Sequence, residues 1–299
     1  MQALWMLLGA LAFSVMAVCV KFASAHFNPA ETVLWRGLLG LIIIFVVARR
    51  QKVSLHTRLP GMHLWRSVAG VASLGGWFYA IAGLPLATAM TLNYMSSLWL
   101  AAFLMVAALA RPLRTPVPQG ALAAALLVGF GGVVLMLRPT IDQNQWIAGL
   151  VGLGSGMLAA VAYLQVKALA RAGEPELRTV FYFMVGTAVG GALSLPVTGL
   201  SPWAGWHSAW LVPMAAFAVI GQWCMTRAYS AGATLVVANL QYSGIVFGAL
   251  FSVLLFGDSI DAPGWLGMAL IVASGIAATV LRVRAETTTP SPEEPCTPR

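Results

Sequence analysis

Charged side chains are scarce in this sequence. Only 9% of its 299 residues are Asp, Glu, Lys or Arg, while 60% are hydrophobic. A soluble domain carries about 25% charged residues. A chain so poor in charge cannot cover a water-facing surface, so lipid must be its solvent. Acidic groups are the scarcest of all: Glu31, Asp142, Glu174, Glu176, Asp258, Asp261, Glu286, Glu293 and Glu294. None falls in the middle of an apolar run. A proton-coupled exchanger of cationic drugs needs a buried carboxylate as its relay, so facilitated diffusion or exchange is the better expectation. Cysteine is equally sparse. Cys19, Cys224 and Cys296 show no paired spacing and exclude a disulfide framework or a metal site. His26, His56, His63 and His207 lie at run ends or in loops, and no HExxH, GxSxG or P-loop pattern occurs. Neither an enzyme nor a cofactor is expected.

What the sequence has is apolar length. A span needs about 20 apolar residues to cross roughly 30 Å of hydrocarbon. Helices are expected near 3–24, 32–49, 64–83, 86–109, 118–138, 147–170, 179–200, 210–230, 233–256 and 264–283. Breakers separate them, among them Pro29, Pro60-Gly61, Pro85, Pro139, Pro175, Pro202 and Pro263. The first run has no basic n-region and no small-residue cleavage pattern, so it is expected to be a retained helix rather than a signal peptide. Residues 285–299 are polar and Pro/Thr-rich, the composition of a disordered cytoplasmic tail.

The net charge of +8 reads as orientation, not as nucleic-acid binding. Arg49, Arg50, Lys52 and Arg58 fill one loop; Arg111 and Arg114, then Lys167, Arg171 and Arg178, then Arg282 and Arg284 fill others on the same side. The positive-inside rule puts both termini in the cytoplasm of a multi-pass protein of the inner (plasma) membrane.

Residues 146 apart match without a gap. The pairs include Lys21/Lys167, Pro29/Pro175, Gly75/Gly221, Trp77/Trp223, Asn93/Asn239, Ser97/Ser243, Gly129/Gly275 and Arg138/Arg284. Each half then holds five helices, an odd number, so the second half enters the bilayer the other way up. The expected fold is all-α: a first five-helix repeat over 1–138 and a second, inverted one over 139–284. Secondary transporters place a midplane site between such halves.

Several motifs in order resemble the drug/metabolite transporter superfamily, in particular its EamA-type ten-helix members. They are Arg36 within WRGLLG, AGLPLATAMTLNYMSS at 82–97, its counterpart AYSAGATLVVANLQYS at 228–243, Phe256-Gly257-Asp258, and the glycine-spaced run from Gly267 to Gly275. The resemblance covers residues 1–284. Two features depart from it: the helix 4 proline is missing, and the first half ends in Arg111-Pro112 rather than an acidic turn. It implies a secondary transporter working by alternating access. The amino-acid exporters, including the YddG type, are nearest in kind, so the implied cargo is an amino acid (aromatic or hydrophobic favoured) or a similar small amphipathic metabolite, moved outward. Nucleotide-linked or phosphorylated metabolites are an alternative on the same fold, needing several basic residues at the cavity; Lys21, Arg36 and Arg227 are the ones in view. A non-transporting scaffold or channel-like subunit is another.

Polar groups inside hydrocarbon are costly and mark candidate sites. Asn93 and Asn239 lie about 10 Å deep from opposite faces at 1.5 Å per residue, and an amide can both donate to and accept from an amino acid. The competing reading is a helix–helix hydrogen bond. Trp77, Tyr79, Tyr94, Trp99, Tyr163, Trp223 and Tyr242 cluster on the same runs, with Ser97, Gln222 and Gln241 as further hydrogen-bonding groups. Lys21 is a candidate gate or carboxylate ligand, or a snorkelling lysine. Arg36 is expected to cap or pair locally with Glu31. The expected partners are a small-molecule substrate and the lipid bilayer, with the protein a monomer.

Overall fold

The computed structural model describes residues 2–110, 119–136, 145–202, 204–231, 237 and 240–287. The described residues form helices and no strands: α1 (Gln2–Ala23), α2 (Pro29–Arg50), α3 (Pro60–Gly83), α4 (Leu86–Tyr94), α5 (Ser96–Ala110), α6 (Gln119–Met136), α7 (Gln145–Arg171), α8 (Glu176–Thr198), a 3-10 turn (Gly205–Trp210), α9 (Leu211–Ala231), α10 (Ser243–Phe256) and α11 (Ala262–Thr287). Five helical stretches among them are long and apolar enough to cross a membrane: Leu4–Ala23, Pro29–Arg50, Gln145–Arg171, Glu176–Thr198 and Gly205–Ser230.

Two helices begin earlier than their apolar runs suggest. Pro29 and Pro60, which read as breakers, are the first residues of α2 and α3. Proline suits that position because its missing N–H is one that a helix start leaves unbonded anyway. Asn28 caps α2: its side chain accepts from Glu31 N at 2.9 Å, and Glu31 Oε2 accepts from Asn28 N at 2.9 Å. This reciprocal capping box occupies Glu31. At the other terminus α11 continues to Thr287, so residues 285–287 of the expected tail are helical.

The run expected as one helix over 86–109 is divided at Met95, whose backbone N–H bonds to Thr91 O at 3.1 Å. No proline or glycine causes this. Thr91 Oγ1 donates to Ala87 O at 2.7 Å, the side-chain-to-carbonyl bond that bends helices. The run expected over 233–256 is interrupted by a turn at Gln241–Tyr242, so α10 starts at Ser243.

The helices pack as antiparallel pairs: α1 with α9, α2 with α8, α3 with α7, and α6 with α11. Small residues set the spacing. In the α2–α8 pair, a Cβ on Gly37 would collide with the backbone of Ala188, and one on Gly191 would stand 2.6 Å from Leu34 Cα. Ser73 Oγ bonds to Ser155 O at 2.8 Å in the α3–α7 pair, while Gly83 faces Ala148 further along.

The connections gather at two ends. At one, Lys21 Nζ donates to Ile81 O (2.9 Å) and Leu84 O (2.6 Å), Asn28 Nδ2 donates to Gly199 O (3.1 Å), and Phe22 packs on Phe256 at 5.0 Å between centroids. At the other, Arg178 Nε donates to Ser54 O (2.9 Å) and Thr57 Oγ1 donates to Glu174 Oε1 (2.7 Å).

Gly37→Leu should destabilise the protein by about 1–3 kcal/mol through overpacking. Gly75→Ala, where nothing lies within 4 Å of a new Cβ, should change stability by no more than about 1 kcal/mol. Thermal unfolding in detergent compares the two.

Candidate functional site

α3 carries the most polar interior of any described helix. His63, Arg66, Ser67 and Ser73 are all buried along it. Of these, Ser73 lines a cavity of about 50 Å³, with Gly70, Leu74 and Trp77 of the same helix. The lining comes from six helices: Phe13 (α1), Arg36 (α2), Gly70, Ser73, Leu74 and Trp77 (α3), Asn93 and Tyr94 (α4), Ala159 and Tyr163 (α7), and Gln222 and Met225 (α9).

The unpartnered groups of this wall are a hydroxyl, that of Tyr94, which can donate or accept, and several nitrogens. The buried side-chain nitrogens without a partner here are Arg36 Nε and Nη1, Trp77 Nε1 and Gln222 Nε2. Arg66 Nε and Nη1, whose guanidinium lies against the cavity-lining Gly70, are also without a partner. Each of these nitrogens is a donor. Arg36 is 1% exposed and Arg66 3%. Their guanidinium carbons lie 5.4 and 4.0 Å from the centroid of the same Phe183 ring. Among the described residues the ion pairs are Glu174 with Arg178 and with His63, so neither buried arginine faces a carboxylate. The expected pairing of Arg36 with Glu31 does not occur. Glu31 is engaged by the Asn28 cap and by the Ser201 hydroxyl at 2.6 Å, which leaves it nothing for Arg36.

Five of the proposed ligands meet at the cavity: Asn93, Trp77, Tyr94, Tyr163 and Gln222, with Arg36 from the charged group. Asn93 Nδ2 donates to Ser155 Oγ at 3.1 Å, so the helix–helix hydrogen bond and the cavity position hold together. Tyr163 stacks on Tyr229 at 5.2 Å between centroids. The others sit elsewhere. Tyr79 is 44% exposed on the outer face of α3. Trp99 packs edge-on against Phe130 at 5.0 Å. Trp223 lies beside Trp5 and donates to Glu176 Oε2 at 3.3 Å. Gln241 Oε1 accepts from the Tyr229 hydroxyl at 3.0 Å, and the Tyr242 ring covers Gly275. Ser97, on α5, is half-buried. Lys21 caps the carbonyl end of α3. Asn239 lies outside the described residues. Arg227, the other basic residue in view, is exposed over the Trp5 ring at 4.6 Å.

Arg66 is the residue that sequence reasoning missed. Six residues into α3, it reads as the flank of a basic loop. The signal that marks it is local: Leu34-Trp35-Arg36 recurs as Leu64-Trp65-Arg66.

Away from the cavity, the loop before α8 is held by Glu174. Burial opposes ionisation of its carboxyl, but the Thr57 hydroxyl and the Arg178 guanidinium outweigh this and hold it below the ordinary carboxylate value of 4.5. Arg178 Nη1 donates to Glu174 Oε2 at 2.9 Å.

An all-helical chain with five membrane-length helices among its described residues is a multi-pass membrane protein. The comparisons with known proteins agree. No family model matches the chain. The pseudopaline exporter CntI of Pseudomonas aeruginosa is 34% identical over 276 residues, covering 90% of this chain and 93% of that protein. The chain belongs to the family of this exporter. Riboflavin transporters of Rhizobium johnstonii and Vibrio cholerae are 27% and 26% identical, over 92% and 91% of this chain and 89% and 90% of theirs. A crystal structure 20% identical to this chain superposes with a TM-score of 0.69, covering 95% of this chain and 98% of its own, which shows a shared fold.

Glu174→Gln should lower the melting temperature at neutral pH. A depressed native pKa gives stability that is full above the unfolded value and lost as pH falls through the native one. The gap between wild type and variant should therefore close below about pH 4.5, read by unfolding scans across pH.

Proposed function

We infer that this protein is a secondary transporter that exports a small amphipathic metabolite, an amino acid or a compound of similar form, by alternating access. The observation that carries the reading is the cavity whose buried, unpartnered groups come from four different helices: Arg36, Trp77, Gln222 and the Tyr94 hydroxyl. A buried donor left without a partner costs about 1–3 kcal/mol, and a charged one more. Such a wall is worth keeping where a ligand's carboxylate completes it. Asn93, with its amide nitrogen on Ser155, offers its carbonyl oxygen to an ammonium. Phe13, Leu74, Trp77 and Met225 supply the apolar surface. The names of the relatives support movement of small metabolites, in one case outward.

We read the architecture as ten spans in two inverted halves, 1–138 and 139–284, of the EamA type. The packing supports this. Exchanging each helix for its counterpart 146 residues away turns the α1–α9 pair into α7–α3 and leaves α2–α8 and α6–α11 unchanged. α2 runs antiparallel to α8, its own counterpart. A symmetry axis in the membrane plane produces that relation, and one along the membrane normal does not. The basic loops around residues 49–58 and 171–178 meet at one end of the molecule, which supports a cytoplasmic assignment for that end and for both termini. A cavity of about 50 Å³ admits a few waters. Binding sites for small molecules need roughly 300 Å³ or more. The paired helices must therefore part to load a substrate, which is what alternating access requires.

Purified protein in liposomes tests this. Saturable uptake of labelled amino acids is expected, reduced about tenfold or more in Asn93→Leu and Trp77→Ala, the effect of losing one buried hydrogen bond or ring contact. Equal leak of all small solutes would refute the reading. Uptake with and without a pH gradient reports the coupling.

A further inference from the structure

Arg36 and Arg66 stand about 10 Å from the starts of α2 and α3, counted at 1.5 Å per residue. Those starts are at opposite ends of the molecule, so the two cations reach toward each other from opposite sides and settle on one phenylalanine. Two like charges buried together repel, and each has given up its hydration. Each presents Nε and Nη1 with no protein acceptor. One amino-acid carboxylate compensates one such guanidinium and leaves the other charge uncompensated.

We propose that Arg36 and Arg66 form a double clamp that makes this transporter selective for substrates with two carboxylates, one held on each guanidinium. This rests on the transport reading above and narrows its substrate class. Carboxylates fit better than a single phosphate. Arginine pairs with phosphate as well, but one phosphate asks for donors converging on a point, whereas here they are dispersed over α2, α3 and α9. Charge-assisted hydrogen bonds from two guanidinium groups suit two carboxylates. Trp77 Nε1 and Gln222 Nε2 supply further donors, and Leu74 and Met225 line an apolar middle.

L-Glutamate and L-glutamine have the same shape and differ in the second carboxylate, so calorimetric binding to the protein in nanodiscs tests the clamp without requiring turnover. Glutamate should bind at least tenfold more tightly than glutamine. In Arg36→Gln and Arg66→Gln that preference should fall to threefold or less, with the cooperative thermal unfolding of the wild type kept as proof of fold. Equal binding of the two amino acids by the wild type would overturn the proposal. Inorganic phosphate displacing glutamate at lower concentration than glutamate itself would overturn it too, in favour of a phosphate site. A ligand-binding cation opposes folding of the free protein, so Arg66→Met should melt no lower than wild type. A melting point lowered by several degrees, with glutamine binding lost as well, would make Arg66 a structural residue and end the proposal. Clamp and transport fail separately: glutamate bound through the arginines without passage across liposomes refutes transport alone, and saturable passage indifferent to both arginines refutes the clamp alone.

Discussion

The backbones of α2 and α8 touch. Gly37 lies against Ala188, and Gly191 lies against Leu34, with no room at either place for a side chain. In a bilayer the hydrophobic effect gives no drive for helix association, so packing at this distance must supply it. The contact also decides where Arg36 goes. Next to Gly37 on α2, its guanidinium has only the interior to enter, and Phe183, less than two turns before Ala188 on α8, is the surface it meets. Arg66 arrives from α3 on the same ring. The site thus depends on a glycine contact that contains no functional group.

A membrane protein must satisfy polar groups internally or use them. This chain does the first nearly everywhere. Ser14, Thr91, Thr187 and Thr226 each donate to a carbonyl four residues earlier, Lys21 caps α3, and Glu31 closes the start of α2. Among the buried groups left without a partner are nitrogens of Arg36, Arg66, Trp77 and Gln222. Arg36, Trp77 and Gln222 line one cavity, and the Arg66 guanidinium lies against its Gly70.

Membership of an exporter family and a cavity with buried polar groups are independent findings. The family relation rests on identity spread over nine-tenths of the chain. The cavity rests on which side chains six helices bring together. Neither contains the other: relatives differ in the cargo their names carry, and a cavity by itself does not move anything.

Apolar length and glycine spacing were enough to show that this is an all-helical membrane chain, because a bilayer imposes one solution on any segment that must bury its backbone. The same property located most helix ends within a few residues and brought Asn93, Trp77, Tyr94, Tyr163 and Gln222 to attention as polar or aromatic residues in apolar runs. It went astray at Pro29 and Pro60, where a residue that breaks a helix interior begins one instead, and at Met95, where the run divides without a proline. It could not separate Trp77 from Tyr79. Two residues apart on one helix, they point in different directions, and only the position of α7 says which of them is inside. Arg66 shows the same limit from the other side. Its charge places it with the loop arginines until the packing of α3 on α7 and α8 buries it. Length and pattern are properties of one segment and can be read from it; which face of a segment is interior is a property of its neighbours, and the tertiary structure alone decides it.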